Sequence, residues 1–274
     1  MNTKTVIGTA VCVSVFLLSF LVSGEAAVYF NLTALMVVVS GTVGASLLSN
    51  GYARVAEAVH RAKSAYGPAP IQERVLIAQF LRLSLNLKKQ GFLKDEDRKE
   101  FPYKPLMSGL ELLEDNYEQE EIREILDNEM HFFALRREGL MRIFRNMAGF
   151  APSFGVAGSV IGLIGLLVGL GETELILKNI PIALISTLYG VVLANFFLTP
   201  LAEKIQERTQ AEIMLMQIVQ EGVLALSRKD EFYKVQRRLN MLVAPQERIE
   251  DSRVVRKIKK SVFKTLAPTA SAAQ

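Results

Sequence analysis

Apolar residues cluster into four blocks, at 5–23, 28–49, 148–170 and 180–198. Each approaches the roughly 20 residues that a helical membrane span requires. Outside the blocks the apolar positions fall at helical spacing: Ile71, Val75, Ala78, Leu81 and Leu85 in one stretch, and Ile205, Ala211, Met214, Ile218 and Val223 in another. Gly91 reads as a helix C-cap and Pro105 as a helix opening. The stretch "EQEEIREILDNEMHFFALRREGLMRIFRNMAGF" reads as one long helix running straight into the third block, its acidic start and basic end suited to the helix dipole. There is no strand pattern and no repeat. These patterns predict an all-α integral membrane protein with four transmembrane helices. They pair into a hairpin over 1–49 and a second over 148–200. A cytoplasmic helical domain comes from 50–147 and from C-terminal helices over 201–265. The Ala/Thr/Ser-rich end, 266–274, is expected to be disordered. A cleaved signal peptide is the other reading of the first block. That block is longer than a signal core, and a second span follows within a few residues.

Charge sets the orientation. Arg54, Arg61, Lys63, Lys88, Lys89, Arg136, Arg137, Arg142 and Arg145 lie between the second and third blocks, and the tail "RVVRKIKKSVFK" is also basic. The short turns carry Glu25, Glu172 and Glu174 with only Lys178. By the positive-inside rule both large polar segments and both termini are cytoplasmic. The basic tail then suits anionic lipid headgroups, and no nucleic-acid motif accompanies it. The single Cys12 and the separated His60 and His131 offer neither a disulfide framework nor a metal centre. No P-loop or nucleophile motif is present, so an enzyme is not indicated and no cofactor is called for.

The third block repeats glycine at one face: Gly155, Gly158, Gly162, Gly165 and Gly169. Each glycine costs a helix interior about 1 kcal/mol relative to alanine, so the stripe implies close helix packing. The fourth block answers with Ala183, Thr187, Gly190 and Ala194, and Ser186 sits beside them. A face carrying Ser186 and Thr187 reads either as packing or as the lining of an ion path. No block holds a carboxylate or histidine of the kind that carries protons through membranes. Hydroxyls cannot hold a proton reversibly near neutral pH. A conducting chain of this kind therefore needs a partner that supplies the acid.

"FRNMAGFAPSFGVAGSVIGLIGLL" and "IALISTLYGVVLANFFLTPLAEKI" resemble the last two spans of flagellar stator A-subunits, the MotA/PomA branch of the MotA/TolQ/ExbB superfamily. "YFNLTALMVVVSGTVGASLLS" is similar to the family's second span, with Thr33 where the family commonly has proline. The resemblance implies a homo-pentamer around a dimer of a MotB-like B-subunit, a single-span, peptidoglycan-anchored chain with an essential aspartate. It implies transport of H+ or Na+, no other cofactor, and torque on the rotor's switch-complex protein (FliG-like). The location it implies is the bacterial cytoplasmic (inner) membrane. Thr187, Ser186 and Ser159 are then expected along the ion pathway. Pro152 and Pro200, both placed at helix ends, match the torque-coupling prolines, and Lys88, Lys89 and Glu96 match rotor-facing charges. Ser186 leaves the choice of ion open. An envelope-energising or gliding motor of the TolQ/ExbB type and a non-conducting scaffold are the other readings.

Overall fold

The computed structural model describes residues 3–22, 29–67, 71–90, 103–168, 173–250 and 256. Among these, every regular element is helical: α1 (Thr3–Val22), α2 (Leu32–Asn50), α3 (Tyr52–Ala65), α4 (Glu73–Gln90), α5 (Lys104–Glu114), α6 (Gln119–Val168), α7 (Thr173–Val192), a π-helical segment (Leu193–Leu198), α8 (Thr199–Ser227), α9 (Phe232–Met241) and a 3-10 turn (Pro245–Glu247). Three helical stretches are long and apolar enough to cross a membrane: α2, the apolar part of α6, and that of the run Thr173–Ser227. Lys89 lies in α4 with its side chain outside the described set. Gly91, Glu96, Gly169 and the 266–274 tail also lie outside the described residues.

Several boundaries depart from expectation. The second apolar block was expected to begin its helix at Val28, but α2 starts at Leu32. Asn31, in extended backbone, caps it by accepting from the Ala34 amide at 2.9 Å. The fourth helix starts at Thr173 rather than near Ile180, which puts Pro181 inside α7. Pro152 is not at a helix end: it sits well inside the 50-residue α6. Nor does Pro200 end a helix. The π-helix and α8 carry the chain through it without a break. A proline within a helix lacks the N–H for the residue four back and crowds that carbonyl. The wider π turn directly before Pro200 accommodates this.

The chain divides into two compact units, Met1–Pro68 with Arg136–Arg208, and Ala69–Leu135 with Thr209–Gln274. In the first unit, α3 follows α2 through Gly51, whose φ of 75° is the left-handed region that favours glycine. Ala58, Ala62 and Ala65 of α3 pack with Leu140, Ile143 and Phe144 of α6 and with Leu198, Ala202 and Ile205.

The second unit has a core of Leu76, Ile77, Phe80, Leu81 and Leu83 from α4, Leu106 and Leu110 from α5, Ile122 and Leu126 from α6, Ile218 and Val223 from α8, and Val235 and Leu239 from α9. The expected α4 face is rotated slightly: Leu81 is central, Ile71, Ala78 and Leu85 flank it, and Val75 is exposed. Gly222 lets the Phe80 ring lie against α8, where a Cβ would sit 2.5 Å from it. Asn240 holds the backbone of Ile249 at both polar atoms, accepting from its N–H at 3.0 Å and donating to its C=O at 3.2 Å. Tyr103 packs beside this core. Burial, then the charges of Glu212 and Glu129, push its phenol up to about 12.

Candidate functional site: a glycine seam with a hydroxyl pair

The first unit brings α6 and α7 together along the glycine stripe. A Cβ on Gly155 would meet the Ser186 carbonyl at 2.9 Å and the Thr187 Cα at 3.1 Å. One on Gly162 would meet the Ala183 amide nitrogen at 2.5 Å, and one on Gly190 the Ala151 carbonyl at 2.5 Å. These are backbone atoms with no freedom to give way, so the helices approach as only glycine permits. Gly165 faces the Asn179 side chain. Ala183 and Ala194 are buried.

Ser186 and Thr187, adjacent in sequence, part company across this seam. Ser186 is fully buried, and its hydroxyl donates to the Ile182 carbonyl at 2.6 Å. It fills the space over Gly158, on the flank where Val37 of α2 also approaches. Thr187 is exposed on the other flank, with its Oγ1 2.6 Å from Ser159 Oγ of α6. Ser159 donates onward to the Ala183 carbonyl, so its remaining role toward Thr187 is as acceptor. Of the three hydroxyls expected along a path, Ser159 and Thr187 therefore meet, and Ser186 is packed behind them. All are uncharged, and α2, the α6 stretch from Asn146 onward and the stretch from Asn179 in α7 to Ala202 in α8 contain no Asp, Glu, Lys, Arg or His.

The sequence reading did not find the role of Tyr189. Its hydroxyl donates to the Tyr29 carbonyl at 2.6 Å and accepts from the Asn31 amide at 3.1 Å. One phenol thus ties the start of α2 to the last turn of α7. The signal was available, because a phenol in an apolar span requires a partner. At the other end of the seam Arg145 of α6 donates to Glu203 at 3.1 Å and to Gln206. Prolines 152 and 200 lie between these levels, Pro152 against Gly190 and Pro200 just after the π segment. Lys88, in the second unit, pairs with Glu231 at 3.5 Å, both side chains mostly exposed. Among the described residues no cluster could hold a metal ion.

The architecture is that of a helical membrane protein with an uncharged polar seam. The model of the MotA/TolQ/ExbB proton channel family matches residues 97–218. Bacillus subtilis YtxD is 31% identical over 72% of this chain and 73% of its own length. The chain belongs to the MotA/TolQ/ExbB proton channel family. Motility protein A of Treponema phagedenis is 26% identical over 91% of this chain and 97% of its own length. In fold, the chain is similar to the flagellar MotAB stator complex from Bacillus subtilis, with a TM-score of 0.81, 23% identity and coverage of 89% of this chain and 96% of that one. C. jejuni MotAB matches at a TM-score of 0.80 and 17% identity, covering 92% of this chain and 98% of that one.

Proposed function

We propose that this chain is the ion-conducting A-subunit of a flagellar stator and couples proton or sodium flow to torque on a rotor. The observation that carries this is the Ser159–Thr187 hydroxyl pair on the open flank of a tightly packed seam whose helices hold no carboxylate. Such a seam can hydrate and pass an ion but cannot take up a proton by itself. The motility protein A relatives and the likeness to MotAB complexes support a partner of the MotB type that brings the acid. In this reading α1 is the fourth span beside the three candidate spans, and the second unit with both termini is cytoplasmic. Five copies surround two partner chains, the prolines at 152 and 200 transmit the motion, and the charged surface around Lys88 meets the rotor. Proton and sodium transport are both compatible with the hydroxyl pair.

The test is co-expression with a single-span, aspartate-bearing, peptidoglycan-binding partner whose plug has been removed. An ion leak that falls in Thr187→Ala supports the reading. The same complex without a leak, or a leak indifferent to Thr187, overturns it. Swimming with sodium replaced by potassium then identifies the ion.

A further inference from the structure

The Ser159–Thr187 pair and the Arg145–Glu203 pair stand on one face of α6. Arg145, Gly149, Pro152, Val156 and Ser159 recur at spacings of four, three, four and three. At about 100° per residue they stay within a sector of about 80°. The answering positions on the other helix run differently. Thr187, Val191, Asn195, Thr199 and Glu203 are spaced by four throughout. In an unbroken α-helix that spacing drifts by about 40° per step, so Glu203 would stand about 160° round from Thr187, turned away from α6. Leu193–Leu198 is π-helical instead. Looping out one residue cuts the drift to about 60°. Both Thr187 and Glu203 then reach the same face of α6, as the two cross-helix contacts show.

Between these contacts the α7–α8 side presents Thr187, Val191, Asn195 and Thr199, all exposed, and α6 presents Gly149 and Val156, also exposed. The face therefore runs from a hydroxyl pair past an amide and a second threonine to a carboxylate. That carboxylate is held by Arg145, with both side chains about half exposed. As a surface ion pair the contact contributes little to stability, about 0–1 kcal/mol. Its position is what the π segment secures.

We infer that Glu203 is the exit carboxylate of the ion path: it receives the ion released past Thr187, Asn195 and Thr199 and passes it to the cytoplasm. Arg145 is its positioning residue, and the π-helical segment sets the register. The inference rests on the stator reading above. A carboxylate here suits either ion, since it can take up a proton or coordinate sodium.

The experiment uses the full chain, with Cys12→Ser, co-expressed with the unplugged partner, and follows ion flux into vesicles. Wild type, Glu203→Gln and Glu203→Asp are compared as a function of pH on the cytoplasmic side, and co-purification of the partner reports assembly. Glu203→Gln is expected to assemble, to lose about tenfold or more of the flux, and to flatten its pH profile, while Glu203→Asp restores most of both. If Glu203→Gln fails to assemble, Glu203→Cys is modified after assembly, and a carboxylate-bearing thiol reagent is expected to restore flux that a cationic one does not. Wild-type flux and pH profile in Glu203→Gln, or equal effects of the two reagents, overturn the inference. Absence of flux in the wild-type complex overturns the stator reading instead.

Discussion

Ser159 Oγ and Thr187 Oγ1 lie 2.6 Å apart across the α6–α7 seam, and Ser159 is anchored in turn to the Ala183 carbonyl. Ser159→Ala removes both bonds while leaving the packing almost unchanged. It is expected to lower thermal stability in detergent by about 1 kcal/mol and to reduce ion flux with the partner, as is expected of Thr187→Ala. In a double variant the two flux losses should be less than additive, because each residue disables the same pair.

Glycines along the chain separate into obligatory and replaceable ones. Gly162→Ala drives a methyl to within 2.5 Å of the Ala183 backbone nitrogen, and overpacking of this kind costs about 1–3 kcal/mol. Gly44, in α2, has nothing within 4 Å of its would-be Cβ. Gly44→Ala should stabilise the helix by about 0.5–1 kcal/mol. Melting curves of the two purified variants, measured in one detergent, check the opposite signs.

Tyr189→Phe removes the bridge to Tyr29 and Asn31 while keeping the ring. Leaving the Asn31 amide and the Tyr29 carbonyl without their partner costs about 1–3 kcal/mol. The loss should be local to the start of α2. Hydrogen exchange at Asn31 and its neighbours should rise well before exchange in the middle of α7, and uniform acceleration across both helices would contradict this assignment.

Tyr103 gives a pH dependence in the second unit. Its folded phenol is raised to about 12 from 10.0, so between those values the unfolded chain has lost a proton that the folded chain retains. The stabilising contribution is complete below pH 10 and is lost as pH rises toward 12. Denaturant midpoints should fall across that window in the wild type and fall less in Tyr103→Phe.

Much of the membrane unit is legible from one dimension. The glycine spacing announces the seam because a face repeating every three or four residues needs only helix geometry to interpret. That Ser159 and Thr187 touch is a matter of rotation and height, which spacing alone does not resolve. The same limit hides the divergence of Ser186 from Thr187: one step of about 100° carries a side chain from one flank of the seam to the other. Pro152 and Pro200 read as helix ends because proline ordinarily terminates helices. Here the helices run through them, and the π segment that precedes Pro200 has no composition of its own. Glu203 escapes notice because the apolar block stops at Leu198, and only the altered helical phase returns it to the face of Thr187.

The lack of formal charge along the seam has an electrical consequence. A membrane potential does work on charge that moves through it, about 2.3 kcal/mol for each elementary charge per 100 mV. The bilayer stretches of α2, α6 and α7 offer the field no fixed charge to act on. In the stator reading, voltage therefore acts on these stretches only through an ion in transit, and the ion-free seam should hold the same conformation whether the cell is energised or not.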